Sequence, residues 1–303
     1  MTIRLYRLVL LAICLTGPLA GYAQDNPLAK YLDVPGAKTT LPVASAKTPF
    51  SLEFARGAQE RFENFHYQLG GDHALYYNLH LSEVLPTAVS KPNEHYRPLE
   101  KALDPALGDS VSFRVKEGDL TLNEYVVHPN HRVQAVVMVH EGKIVYETYP
   151  GMDPMDQHVW MSPGKTTVGL VISQLEAEGK IDMNKEVVEY LPEFKGTNWD
   201  GIKMIDAANM ATALQLEETL EAIVDPNSII VRFFSAEFGA PNPATGKVED
   251  WLSILKGAEK IEGEAPGDRF RYSSAVTQVF VVIAERIKNK TWARSSRSVF
   301  RAT

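Results

Sequence analysis

The sequence predicts an α+β fold, an antiparallel sheet accompanied by helices and an all-helical portion. Three observations predict it. Two β-rich runs flank a two-residue turn at 134–149. The apolar period changes from strand-like to helical after Pro163. Helical patterns then recur to about residue 288. The chain has 303 residues, 45% hydrophobic and 23% charged. That is ordinary globular usage, enough for one large domain or two small ones with a sizeable core.

The first 23 residues read as a secretory signal peptide. Arg4 and Arg7 precede the apolar run Leu8 to Leu15, and Gly21-Tyr22-Ala23 supplies small residues two apart. The run is too short to span a bilayer. Cleavage is expected after Ala23, with export to a bacterial periplasm or the exterior. The only cysteine, Cys14, lies inside this segment, so the mature chain would carry no disulfide and no thiol chemistry. Residues 24–49, rich in Pro, Ala, Thr and Lys, read as a flexible leader. Residues 50–133 read as a helical and irregular extension. In it Leu52, Phe54, Ala55, Ala58, Phe62 and Phe65 recur at helical spacing. Gly70-Gly71 breaks this segment, and Asp72 is placed to cap a second helix running toward Leu85. Pro86, Pro92 and Pro98 then mark irregular chain.

Residues 134–149 give the clearest strand signal. "QAVVMVH" and "KIVYETY" flank Glu141-Gly142, which predicts a hairpin. The first run is almost continuously apolar, so that strand is expected to be covered on both faces. From Pro163 onward, Val168, Val171, Ile172 and Leu175 share one helical face, and Gly179 ends the helix. Further helical patterns fall at about 203–214, 226–238, 247–256 and 274–288. A lone hairpin is marginal in water, yet no strong strand pattern follows residue 149.

Removing residues 1–23 takes Lys+Arg from 31 to 29 against 38 acids, so net charge moves from −7 to −9. An acidic chain with no basic stretch is a poor match for nucleic acid or anionic membrane.

Ser162 and Lys165 stand three positions apart where a polar loop gives way to an apolar helix. On a helix this puts both on one face, with Cβ atoms roughly 5–6 Å apart. Pro163 suits a first turn, and Gly164 does not crowd the pair. The burying residues that follow are expected to desolvate the lysine and favour its neutral amine. Such an amine beside a hydroxyl can serve as a general base. The N–H groups of a helix start can stabilise an oxyanion. A serine before an apolar helix is also commonly a cap. The same spacing recurs at Ser253 and Lys256, on a short amphipathic helix read as surface. Spacing alone therefore leaves Ser162 open between cap and nucleophile. In "APGDRFRYSSAVTQV", 265–279, Pro266-Gly267 makes a turn and Ser273 or Ser274 can cap the helix that follows. Tyr272 reads either as a packed aromatic or, beside a serine and a lysine, as a proton relay.

Three segments in order carry a resemblance. Ser162-Pro163-Gly164-Lys165, "LEAEGKIDMNKEVVEYLPEF" at 175–194, and "PGDRFRYSS" at 266–274 are similar to the serine β-lactamase-related hydrolases. That group includes class C β-lactamases, DD-peptidases, esterases and nylon-oligomer hydrolases. The resemblance covers about 134–293 and implies a β-lactamase/transpeptidase-like fold. It implies that Ser162 attacks a carbonyl carbon to form an acyl-enzyme. Lys165 accepts or shares the serine proton. Tyr272 acts as base and then as acid to the leaving group. Ser274 stands at a substrate-binding position where many members have Asn. The Ser162 N–H forms half of the oxyanion hole, and water releases the acyl group. The implied substrate is a small ester, amide or β-lactam. No metal or organic cofactor is implied.

The chain departs from the pattern in three places. "NMATAL", 209–214, stands where a His-Thr-Ser-Gly-like turn is common. No Lys/His-x-Gly box follows Tyr272, since Lys290-Thr291-Trp292 lacks the glycine and comes early. C-terminal strands are missing. Residues 294–303 lose the helical pattern and carry three arginines, three serines and no acid. The expectation is a truncated or out-of-frame end, a marginally stable chain, and weak or absent activity.

Three rivals stand beside the serine hydrolase. His66, His73 and His80 recur every seven residues, but Gly70-Gly71 interrupts a single helix and no zinc pattern appears. A Ser-His-Asp triad has no Gly-x-Ser-x-Gly elbow to support it. A catalytically silent periplasmic binding or peptidoglycan-sensing module would keep the fold without the chemistry. Oligomeric state cannot be read from the sequence.

Overall fold

The computed structural model describes residues 34–62, 67–68, 70–85, 87 and 98–295. The expected signal segment with Cys14, the first part of the expected leader, Phe65, His66, and the tail beyond Ser295 lie outside the described residues. The Ser51 hydroxyl accepts the Phe54 N–H at 3.2 Å and so starts helix α1 (Leu52–Glu60). Helix α2 (Asp72–His80) follows Gly70 and Gly71, both at positive φ. Gly71 is required there, because a Cβ would sit 2.4 Å from the Ala37 carbonyl oxygen.

Asp72 does not cap α2 as expected. It is the first helical residue, buried, and its carboxylate reaches sideways. It accepts the Thr40 N–H at 3.0 Å, the Leu41 N–H at 2.9 Å and the Thr40 hydroxyl. Arg132 adds hydrogen bonds to the carbonyls of Leu41 (2.6 Å) and Gly71 (3.2 Å). The leader expected to be flexible is therefore docked from residue 34 on, with a 3-10 turn at Val43–Lys47. A buried carboxylate needs hydrogen-bond donors, and the 40–41 backbone supplies them.

The stretch expected as a helical extension contains strands after residue 98. Strand β1 (Glu100–Lys101) is followed by helix α3 (Leu107–Ser110). Strands β2 (Ser112–Val115) and β3 (Gly118–Thr121) pair as a second hairpin. Helix α4 (Leu122–Val127) opens on a capping box between Thr121 and Glu124. It buries Leu122 and Val126 against Tyr146. Four-residue strands with outward charges leave too little apolar alternation to be seen in the sequence.

The hairpin at 134–149 forms as strands β4 (Val136–His140) and β5 (Lys143–Thr148), turning at Glu141-Gly142. A bulge interrupts the register between Met138 and Val139. The sheet order is β1-β5-β4, with β1 parallel to β5. Strand β4 is not covered on both faces: Val137 and Val139 keep 46% and 52% of their surface exposed. Its helical neighbours, including α4, pack on the other face. Among the described residues no strand follows β5, and only two isolated bridges occur later.

The remainder is helical. A 3-10 turn at Ser162–Gly164 leads into α5 (Lys165–Ala177). Val168, Val171, Ile172 and Leu175 are all buried, and Gly179 takes φ +68° beyond the helix end. Helices α6 (Val187–Tyr190), α7 (Met204–Ala208), α8 (Leu220–Val224), α9 (Ile229–Glu237) and α10 (Trp251–Lys256) follow. Helix α11 (Ser274–Lys288) packs on α5, and α12 (Trp292–Ser295) closes against it. Trp199 lies fully buried in this core and donates to the Leu255 carbonyl at 2.7 Å. Among the described residues no helix is long and apolar enough to cross a membrane.

Asp72→Ala leaves buried donors at Thr40 and Leu41 unpaired. It is expected to lower stability by about 2–3 kcal/mol in urea unfolding. Limited proteolysis of that variant is expected to cut within 34–49, the stretch Asp72 no longer holds.

Candidate active site

Two segments build the site. The first is the start of α5. Met161 holds φ +50° and ψ −141°, a conformation costly for a residue with a side chain, and it turns the chain sharply into Ser162. The Gly164 N–H closes the turn on the Met161 carbonyl at 3.0 Å. Ser162 is the first residue of the 3-10 turn and not its cap, and its hydroxyl meets Tyr272 and Lys165. Lys165, one turn on and half-buried, points its ammonium back at that hydroxyl.

The second segment is 270–274, extended but paired to no strand. Its path is set by single hydrogen bonds. The Arg271 N–H donates to the Met210 carbonyl at 2.7 Å, and the Gly267 N–H to the Ala211 carbonyl at 2.8 Å. Met210, whose carbonyl accepts from Arg271, takes φ +52°. "NMATAL" thus supports the segment through its backbone, so the unusual side chains there do not prevent the support. The Arg271 guanidinium binds Glu264 (2.6 Å) and Glu217 (2.5 Å). Of the two candidate caps, Ser273 is the one that starts α11, accepting the Val276 N–H at 3.3 Å.

These segments bring the three predicted groups together. Ser162 Oγ lies 2.5 Å from the Tyr272 hydroxyl. Lys165 Nζ donates to Ser162 Oγ at 3.0 Å and to the Tyr272 oxygen at 2.8 Å. It also lies 5.0 Å from the tyrosine ring centroid. A hydroxyl, a phenol and an amine in mutual contact can pass a proton without rearrangement. Ser274 is placed beside the triangle, but its N–H and its hydroxyl both engage the Glu218 carboxylate. The second Ser-x-x-Lys is unrelated: Ser253 lies exposed on α10, with its N–H taken by Asp250.

A cavity of about 460 Å³ adjoins Ser162 and Lys165. Tyr67, Phe234, Trp251 and Trp292 supply aromatic walls, and Glu218, Glu237 and Glu285 supply carboxyls. Burial raises the Glu218 carboxyl above its ordinary value, against the pull of the Ser274 hydrogen bonds and the Lys165 charge. Packing raises Glu237 as well, with Lys165 opposing and Glu218 adding to the rise. Glu237 is solvent-exposed at the rim, where water screens these effects. Sequence reading missed Glu217, Glu218 and Glu237. Two adjacent acids ahead of a helix are an everyday surface pattern, so nothing local marks them.

Of the heptad histidines, His66 lies outside the described residues. His73 packs edge-on against Phe54 and Tyr77, and His80 binds Glu83 and stacks on Tyr76. Among the described residues no three His, Cys, Asp or Glu side chains gather as metal ligands.

The sequence profile of the beta-lactamase family matches residues 124–301. The chain belongs to the beta-lactamase family. The match starts ahead of residue 134 and continues past Ala293, so it includes most of α4 and most of the tail. A 6-aminohexanoate-dimer hydrolase of Paenarthrobacter ureafaciens is 28% identical over 208 residues, 68% of this chain and 49% of that one. A solved Bacillus anthracis protein, provisionally assigned as a 6-aminohexanoate-dimer hydrolase, superposes with a TM-score of 0.61 at 21% identity. It covers 73% of this chain and 56% of its own. That likeness shows the beta-lactamase/transpeptidase-like fold, mixed α and β. The chain spans about half the length of these relatives.

Two expectations follow from the local physics. Met161→Gly relieves the positive φ and is expected to raise stability by up to about 1 kcal/mol, whereas Met161→Val lowers it. A carboxyl raised in the folded state holds its proton longer than in the unfolded chain. Its contribution to stability is present below its ordinary value near 4.5 and is lost as pH rises toward the folded value. Glu218→Gln removes that loss. Urea unfolding across pH 4 to 8 is expected to show the variant gaining on wild type as pH rises.

Proposed function

We propose that this family member is a serine hydrolase working through an acyl-enzyme on Ser162. The observation that carries the reading is the contact triangle of Ser162, Lys165 and Tyr272, all three edges within 3.0 Å. Ser162 Oγ bonds to the substrate carbonyl carbon, and its proton passes to the Tyr272–Lys165 pair, which takes it with one of the two groups deprotonated, as phenolate beside ammonium or phenol beside amine. The carbonyl electrons move to oxygen, where the Ser162 N–H at the helix start is one donor. As the tetrahedral species collapses, the bond to the leaving amine or alcohol breaks and Tyr272 returns the proton to it. Water then adds to the acyl-enzyme, releasing the acid and restoring the serine proton.

The substrate is an ester, amide or β-lactam carbonyl, and the lining of the cavity narrows the choice. Three carboxyls face one ammonium there. Such a lining disfavours an anionic β-lactam and suits an acyl compound bearing an amino group. The relative from Paenarthrobacter ureafaciens, a 6-aminohexanoate-dimer hydrolase, points to the same chemistry: an amide between amino acids.

A fluorophosphonate probe and p-nitrophenyl acetate test the mechanism. Wild type is expected to label at Ser162 and Ser162→Ala not at all. Lys165→Ala and Tyr272→Phe are expected to slow labelling and ester hydrolysis by about 10²–10⁴-fold. Equal rates in all four proteins would remove the mechanism. For the substrate, p-nitrophenyl 6-aminohexanoate is expected to exceed p-nitrophenyl hexanoate in kcat/KM by about three- to tenfold, the worth of one screened ion pair. Preference for the uncharged ester overturns the charge argument.

A further inference from the structure

The two halves of the active site are anchored very differently. Ser162 and Lys165 ride on a thirteen-residue helix whose apolar face is buried. Tyr272 rides on a segment with no ladder of its own. Besides the Met210, Ala211 and Arg271 contacts, one residue holds that segment on both sides of the tyrosine. The backbone N–H of Glu218 donates to the Tyr272 carbonyl at 3.0 Å. Its carboxylate accepts the N–H of Ser274, two residues on, and the Ser274 hydroxyl. Glu218 therefore grips the chain on either side of the tyrosine. Glu217, next to it, takes the Arg271 guanidinium.

The grip comes from a rigid base. Leu214 and Leu216 are buried, Gln215 N–H binds the Glu259 carbonyl at 2.8 Å, and Leu214 bridges Lys260. Just beyond, Thr219 caps α8 by accepting the Ala222 N–H at 3.1 Å. Glu218 cannot slide along its own chain. Its role as a cap for α11 is secondary, because Ser273 already caps that helix.

We propose that Glu218 is a positioning residue for the proposed reaction, holding the Tyr272 hydroxyl in contact with Ser162 and Lys165. It rests on the mechanism proposed above. The Tyr272 oxygen must stay within hydrogen-bond reach of two partners at once, and a displacement of about 1 Å costs on the order of 10²-fold in rate. The hydrogen bond to the Ser274 N–H is what matters, and an amide oxygen can accept it as a carboxylate does.

Phosphonylation of Ser162 and p-nitrophenyl acetate hydrolysis test this on the full chain. Glu218→Ala is expected to lower kcat and the labelling rate by about 10²-fold, with KM within about threefold. Glu218→Gln is expected to restore both to within about fivefold of wild type. Thr121→Ala, which breaks the capping box of α4, a helix that does not line the cavity, serves as the stability control: it is expected to lower Tm without moving kcat. A Glu218→Ala variant with wild-type kcat overturns the inference. So does a Glu218→Gln variant as slow as Glu218→Ala, which would assign the effect to charge. If Tyr272→Phe is impaired while Glu218→Ala is not, the inference fails and the mechanism stands. If Tyr272→Phe and Ser162→Ala both match wild type, the mechanism fails and the inference with it.

Discussion

The site depends on one amine. Lys165 Nζ bridges two oxygens, at 3.0 Å and 2.8 Å, that belong to segments more than a hundred residues apart. An ammonium offers three donors and no acceptor, so it can tie two oxygens together without competing for their protons. Without it a serine hydroxyl and a phenol 2.5 Å apart would have only each other. The amine reaches them because Pro163 and Gly164 allow a tight 3-10 turn and because α5 anchors its first residue by burying four apolar side chains.

Hydrophobic burial supplies the rigidity on one side and discrete polar contacts supply it on the other. Helices α5 and α11 share a dense core with Trp199, Phe194 and Leu255. The tyrosine segment leaves that core and is guided by the Met210 and Ala211 carbonyls, Met210 at positive φ, and by paired acids. Backbone conformations of that kind carry strain and persist only where the surroundings over-determine them. Here the surroundings are Arg271 with its two carboxylates and Ser273 at the head of α11.

The N-terminal portion follows the same logic. A buried carboxylate at Asp72 gathers donors from residues 40–41 and so draws a proline- and alanine-rich stretch onto the fold. Gln134, at the foot of β4, accepts from Asn78 at 2.7 Å and binds His158 at 3.1 Å. This links α2, the hairpin and the loop that leads to Met161.

Local pattern was enough for much of this. The hairpin turn at Glu141-Gly142, the buried face of α5, the stop at Gly179 and the Ser-x-x-Lys spacing are all consequences of residues within one or two turns of each other. Their geometry is set by period and by steric preference, so the sequence alone determined them. The exposed face of β4, the short strands before residue 122, the docking of residues 34–49 and the acids around Tyr272 were decided only by the tertiary structure. Each depends on which distant group supplies a hydrogen bond or a covering surface. Ser162 shows both halves: the chain places Lys165 one turn away by covalent geometry, but only folding brings the Tyr272 phenol to the same hydroxyl.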